Sequence, residues 1–178
     1  MATPTIETRP FTNEHVTIRS ANPFTETKAR LESLVPRIDD GIFTLLRYGE
    51  AERALRELEA SPNLSIFSFR DHGALLAIAG QKRRSIQYDI GNPLTASKMT
   101  RHQLSAGIYA PIRVLLREDG EGSAFEYDRP AAVFGQFGDP LVDVVAQRLD
   151  QELQAVLQTA AASGPESAQP QAEEEEAS

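Results

Sequence analysis

The sequence of 178 residues contains no cysteine, and this absence removes several classes of protein at once. Without cysteine there can be no disulfide scaffold, no thiolate nucleophile and no zinc or iron–sulfur site built on thiolates. Long hydrophobic runs are missing too, because the longest, ALLAIA at residues 74–79, is far shorter than the ~18 apolar residues of a membrane span. The N-terminus also lacks the pattern of a secretory signal. We therefore expect a soluble, cytoplasmic protein without membrane association.

Positive charge is scarce, with 18 Lys and Arg against 26 Asp and Glu and a net charge of -8. Part of this excess comes from Glu166 and the EEEE run at residues 173–176. A nucleic-acid-binding protein would show a broad basic face, so no nucleic-acid partner is expected. The histidines at positions 15, 72 and 102 lack the spacing of metal ligands, and no GxSxG motif of a serine hydrolase occurs. We predict neither a metal site nor a cofactor.

Patterning divides the chain into three segments. Residues 1–12 are predicted to be a flexible leader, and residues 13–162 a single α+β domain. Residues 163–178 are poor in large apolar side chains and rich in glutamate, which predicts a disordered acidic tail.

Strand-like and helix-like patterns are interleaved along the domain. Strands are predicted at residues 15–19, 64–69, 84–90, 110–118 and 123–128, the last two forming a hairpin. Helices are predicted at residues 24–35, 50–60, 73–80, from residue 93 onward, and at 139–162, whereas residues 42–46 fit a strand or a helix start. The apolar stripe of the last helix is predicted to be Leu141, Val145, Leu149, Leu153 and Val156. These elements predict an α+β fold, a mostly antiparallel sheet with helices on one face and a long C-terminal helix.

Three of these helices open with an Asx-Pro pair: Asn22-Pro23, Asn92-Pro93 and Asp139-Pro140. The Asx side chain can accept a first-turn N–H, and proline suits the first helical position because no donor is lost there. Asn92-Pro93 differs because Gly91 precedes it, and glycine permits positive φ or close approach of another group.

A ligand could bind at this helix start. We expect the N–H groups of residues 94–96 to face an anionic or polar ligand, with the Thr95 hydroxyl and the Lys98 ammonium nearby. A purely structural helix cap is the alternative interpretation, and the sequence leaves both open.

The stretch FRDHG, residues 69–73, places Asp71 beside His72 at a strand end. If the chain turns at Gly73, the two side chains could share a pocket, and His72 could act as a general acid or base. The alternative is that Asp71 caps the following helix and that His72 forms hydrogen bonds within a turn.

The stretches FRDHG, YDIGNPLTASKM, GIYAPIRVLLREDGEG and YDRP, taken together, resemble the family called domain of unknown function 302, or DUF302, over roughly residues 15–157. Ala110 and Ala131 stand where that family often has leucine and serine. The resemblance implies a fold similar to the TATA-binding protein, a curved antiparallel sheet covered by helices, and a homodimer. It implies no established activity. It also implies one cluster, where strand ends meet helix starts, of Asp71, His72, Gly91, Asn92 and Pro93.

Three functional hypotheses follow. The first is binding of a small polar or anionic molecule between sheet and helices, by Gly91, Asn92, Pro93, Thr95 and Lys98. The second is a cofactor-independent isomerase or lyase in which His72, with Asp71, is the acid or base. The third is a dimeric interaction module whose acidic tail contacts a basic partner.

Overall fold

The computed structural model describes residues 3–163, in which five strands form a single sheet. The strands are β1 (His15–Ser20), β2 (Ser65–Asp71), β3 (Ser85–Gly91), β4 (Ile112–Asp119) and β5 (Gly122–Asp128). Their order in the sheet is β1-β5-β4-β3-β2, and every neighbouring pair is antiparallel. The predicted antiparallel sheet is confirmed, including the hairpin of β4 and β5.

Helices occupy most of the remaining chain. The α-helices are α1 (Phe24–Leu34), α2 (Gly41–Arg47), α3 (Ala51–Glu59), α4 (His72–Leu75), α5 (Pro93–Thr100), α6 (Pro130–Gly135) and α7 (Pro140–Ala161). Two 3-10 helices span Leu76–Ala79 and Leu104–Tyr109. The ambiguous residues 42–46 are therefore helical, and α6 and the second 3-10 helix were not predicted. No helix in the described range 3–163 combines the length and apolarity needed to cross a membrane.

One face of the sheet forms the hydrophobic core. On β3, Ile86, Tyr88 and Ile90 are buried and lie opposite buried apolar residues of β4. Helices α1 and α7 pack over this face, which confirms the predicted one-sided layer of helices. Each fully buried large apolar side chain contributes roughly 1.5–3 kcal/mol.

The opposite face of the sheet is polar. Arg117 on β4 pairs with Glu126 at 2.7 Å and with Asp119 at 2.9 Å, and Arg70 pairs with Asp89 at 2.9 Å. An antiparallel sheet can expose such a face to water because only its other face needs to be covered.

The apolar stripe of α7 was predicted one residue out of phase at its first two positions and at its last, Val156, where Leu157 is the buried residue. Leu141 is 58% exposed, whereas Leu149 and Leu153 are buried as expected. The buried positions are Val142, Ala146, Leu149, Asp150, Leu153, Leu157, Ala160 and Ala161. Repeated steps of four residues drift by roughly 40° each around a helix of 3.6 residues per turn, so a stripe built on such steps leaves the buried side.

The first Asx-Pro pair does not cap its helix. Asn22 forms no capping bond to α1, and its amide nitrogen instead donates to the carbonyls of Ala161 and Ala162, at 3.4 and 2.9 Å. Asn22 thus fixes the end of α7 beside β1. Asp139 caps α7 as predicted, accepting from the backbone nitrogen of Leu141 at 2.9 Å.

Both ends of the chain were predicted to be flexible or disordered. Residues 3–14 form no helix or strand, and Phe11 packs edge-on against Tyr109 with ring centroids 6.2 Å apart. The flexible leader stays a prediction. The predicted acidic tail lies, apart from Ser163, outside the described residues.

Candidate ligand-binding site

Gly91 ends β3 and is a glycine because other groups approach it closely. A Cβ atom added to Gly91 would lie 3.3 Å from the Cβ of Pro111 and 3.7 Å from the ring of Phe67. Gly91 does not adopt a left-handed backbone conformation. Of the two roles considered for this glycine, close approach is therefore the one that the fold uses.

Asn92 caps α5 and occupies the backbone donors of its first turn. Its side-chain oxygen accepts hydrogen bonds from the backbone nitrogens of Leu94 and Thr95, at 2.8 and 3.2 Å. The nitrogen of Ala96 donates to the carbonyl of Asn92 at 2.9 Å. The prediction that these N–H groups face a ligand is wrong, because Asn92 already accepts hydrogen bonds from all three, two through its side chain and one through its backbone carbonyl.

A cavity of about 300 Å³ lies beside this helix start, between the ends of β2, β3 and β4 and the helices α2, α5 and α7. Gly91, Asn92, Pro93 and Thr95 line it. Its walls are mostly apolar and include Phe43, Phe67, Met99, Pro111, Ile112 and Leu149. The volume and lining match the lower end of the range for small-molecule pockets.

Phe67 reaches the cavity because of a β-bulge in β2. Ile66 pairs with Ile90 and Ser68 with Asp89, so Phe67 is the extra residue between two paired positions. A bulge redirects side chains, and here it also turns Ser68 to the outer face, where its hydroxyl donates to Asp89. Sequence reasoning missed Phe67. The signal was the break in alternation within LSIFSF, where apolar residues stand next to each other.

The hydroxyl groups of α5 differ in their hydrogen bonding. Ser97 donates to the carbonyl of Leu94 at 2.8 Å, and Thr100 donates to the carbonyl of Ala96 at 3.0 Å. These bonds within the helix leave little capacity for a ligand. The Thr95 hydroxyl, by contrast, has no hydrogen-bond partner within residues 3–163.

Lys98 lies in a second cleft, next to the cavity, rather than in the cavity itself. This cleft of about 360 Å³ runs between α3, α5 and α7 and also contacts Asn92 and Thr95. Its charged lining residues are Glu59, Lys98, Arg148 and Glu152. Arg148 pairs with Glu152 at 2.9 Å. Arg148 had no sequence signal, because α7 meets α5 only in the folded chain.

Asp71 and His72 lie at the other end of the sheet, so the predicted cluster of five residues is wrong. Ser65 pairs with Gly91, whereas Asp71, at the far end of β2, pairs with Ile86. Six residues of strand separate these ends by ~20 Å. An antiparallel pair necessarily places the end of one strand beside the start of the next.

Asp71 caps the helix that follows it, which is the structural alternative considered for this residue. The Asp71 carboxylate accepts a hydrogen bond from the backbone nitrogen of Ala74, in the first turn of α4, at 2.9 Å. His72 is half-buried and forms no side-chain hydrogen bond or ion pair within the described part of the chain. Gly73 is required because a Cβ there would overlap the backbone carbonyl of Arg83.

Tyr88 and Asp89, which precede Gly91, have structural roles on opposite faces of the sheet. The Tyr88 hydroxyl donates to Glu32 at 3.0 Å. Burial raises the pKa of the Tyr88 phenol, and the nearby Glu32 carboxylate raises it further. Asp89 accepts from Arg70 on the outer face at 2.9 Å. Within residues 3–163, no group of three or more His, Asp or Glu side chains could hold a metal ion.

Comparison with known protein families gives a match to the family described as "Domain of unknown function DUF302" over residues 42–160, more than half of the chain. The chain belongs to the DUF302 family. The resemblance deduced from the motifs is thereby confirmed, and the DUF302 region contains both the cavity and the Asp71–His72 pair.

A solved DUF302 structure has the same fold. The crystal structure of an uncharacterized conserved DUF302 protein from Bacillus stearothermophilus superimposes with a TM-score of 0.61 at 16% sequence identity. The match covers 82% of this chain and 97% of that one. At this identity the similarity supports the shared DUF302 fold and nothing finer. No curated protein matches the chain.

Proposed function

We propose that this DUF302 protein binds a small molecule with an apolar body in the cavity beside Gly91. The observation that carries the proposal is the apolar space of about 300 Å³ where β3 turns into α5. The polar or anionic molecule expected from the sequence is revised accordingly, because the backbone donors of α5 are already occupied by Asn92.

The aromatic rings in the wall suit an apolar guest. Phe43 and Phe67 have ring centroids 6.1 Å apart at an interplanar angle of 53°, and both line the cavity. A bound ligand would exchange contacts with water for contacts with these rings and with Met99. A small cavity offers few such contacts to offset the translational and rotational freedom that any ligand loses on binding, so we expect micromolar rather than nanomolar affinity.

Native mass spectrometry of the purified protein, followed by a thermal-shift screen of metabolites, tests the proposal. A ligand at ~100 times its dissociation constant stabilises the native state by ~2.7 kcal/mol. The Ala96→Phe variant places a ring in the cavity that Ala96 lines, and we expect it to lose this stabilisation. Ala155→Phe makes the same change on the exposed side of α7 and should respond as the wild type does. An undiminished response of Ala96→Phe would show that the ligand binds elsewhere.

The enzymatic alternative, with His72 as acid or base and Asp71 beside it, stays a prediction. It requires a pocket other than the cavity beside Gly91, since the two ends of β2 are ~20 Å apart. A His72→Ala protein that retains ligand binding but loses turnover would favour it.

The interaction module also stays a prediction. Leu75 and Ile78, in the apolar run at residues 74–79, are 59% and 89% exposed, and grouped exposed apolar side chains favour an interface. Light scattering of the wild type and of Ile78→Glu measures the expected homodimer. A monomeric wild type would exclude it.

A further inference from the structure

We propose that the ligand is an amphiphilic acid, with its apolar body in the cavity beside Gly91 and its acidic group in the adjoining cleft at Thr95 and Lys98. This inference rests on the proposed function, since it concerns the same site. It adds the chemical class of the ligand and the residues that select it.

The cavity and the cleft are continuous around the first turn of α5. Asn92, Thr95 and Leu149 line both of them. A molecule whose body lies against the rings of Phe43 and Phe67 can therefore extend one polar end past Thr95 into the cleft. The two spaces differ in lining, because aromatic and aliphatic groups surround the cavity whereas charged groups surround the cleft.

Of the three described residues that line both spaces, only Thr95 has a polar side chain without a hydrogen-bond partner in residues 3–163. The Asn92 side-chain oxygen accepts two backbone hydrogen bonds, and its amide nitrogen donates to the carbonyl of Pro62 at 3.4 Å. Leu149 is apolar. The Thr95 hydroxyl has no partner among the described residues and can donate to a ligand oxygen.

The position of Lys98 next to Thr95 favours an acid over an amine at this junction. Glu152 is already paired with Arg148 at 2.9 Å, which leaves Glu59 and Lys98 without ion-pair partners in the part of the chain that the structure describes. Lys98 lies three residues after Thr95, so both side chains project from the same side of α5. A hydroxyl and an ammonium group both donate hydrogen bonds, and a carboxylate is the group that accepts from two donors.

Calorimetric titration of the full chain with octanoate, 1-octanol and octylamine tests the inference, since the three probes share one apolar body. We expect octanoate to bind roughly 1.5- to fivefold more tightly than 1-octanol, the range for a solvent-accessible ion contact, and octylamine to bind more weakly than octanoate. Lys98→Gln should remove this preference for the acid and leave the affinity for 1-octanol unchanged. Thr95→Val, which keeps the side-chain shape, should weaken the binding of octanoate more than that of 1-octanol, because a hydrogen bond to a carboxylate is stronger than one to a hydroxyl group.

Two control variants separate the site from general effects. Lys82→Gln removes the same charge at a position outside the cavity and the cleft, and Thr159→Val removes a hydroxyl of α7 that bonds to the carbonyl of Ala155. Both should bind octanoate as the wild type does.

The outcomes distinguish this inference from the proposed function. Equal binding of octanoate and 1-octanol, unaffected by Lys98→Gln but lost in Ala96→Phe, would overturn the amphiphilic acid and leave the apolar cavity intact. Tighter binding of octylamine would also overturn it, in favour of Glu59. Failure of all three probes to bind the wild type would contradict both proposals.

Discussion

Removing the Asn92 side chain should destabilise the protein by a predictable amount. Asn92→Ala deletes the oxygen that accepts from the backbone nitrogens of Leu94 and Thr95, at 2.8 and 3.2 Å. Both bonds are partly buried, so water replaces them incompletely. Loss of an N-cap costs about 1 kcal/mol, within a range of about 0.5–2. For a domain of this size, that lowers the melting temperature by about 2–4 °C.

Urea denaturation followed by circular dichroism measures this loss as a lower transition midpoint at unchanged slope. Asn92→Asp is the matched control, because aspartate caps as well as asparagine and only the long 3.4 Å bond to Pro62 disappears. We expect Asn92→Asp to retain nearly all of the stability. Asp139→Ala, which uncaps α7, should lose a similar amount to Asn92→Ala.

The outcome also tests how the first turn of α5 is used. If Asn92→Ala were neutral, or if Asn92→Asp lost as much stability as Asn92→Ala, the side-chain oxygen would not be the acceptor of these N–H groups. The donors would then be free for an anion, and the interpretation of the cavity as an apolar site with an occupied helix start would be refuted.

Three further predictions concern positions outside the cavity. Asn22→Ala should cost about 0.5–1.5 kcal/mol in urea denaturation, because the carbonyls of Ala161 and Ala162 lose the Asn22 amide and keep one other donor each, from Ser20 and Arg30; unchanged stability would contradict that role. Gly73→Ala should lower the unfolding free energy by about 1–3 kcal/mol, since its Cβ overlaps the carbonyl of Arg83, and a neutral result would refute the close approach. The raised pKa of Tyr88 contributes stability that is complete below the unfolded pKa of about 10 and is lost as the pH rises towards the folded value. Stability measured from about pH 9 to 11 should therefore fall more steeply for the wild type than for Tyr88→Phe, and equal slopes would contradict this.

Local patterns in the sequence were sufficient for most of the secondary structure. Alternation in RSIQYDI and in the hairpin of β4 and β5 gave the strands and the buried face of β3, since a strand with one covered face repeats every two residues. Helix formers between residues 50 and 60 gave α3. The motifs gave the family, which the match over residues 42–160 confirmed.

Local patterns could not give the partners of side chains that act over long distances in sequence. Asn22 and Asn92 stand in identical dipeptides, but Asn22 binds carbonyls 139 and 140 residues away whereas Asn92 caps its own helix. The dipeptide shows only that an asparagine side chain is able to form hydrogen bonds. In the folded chain, the carbonyls at the end of α7 bind the Asn22 side chain in place of the first turn of α1.

The candidate site depended still more on tertiary structure. Local sequence patterns were enough to predict that a strand ends at Gly91, that a helix starts after Asn92 and that Thr95 and Lys98 follow on that helix. The folded chain was needed to show that a bulge turns Phe67 toward this point and that Asp71 lies at the far end of the sheet. The reason is physical, because capping is satisfied within a few residues whereas a cavity is the space left between elements that pack from distant parts of the chain.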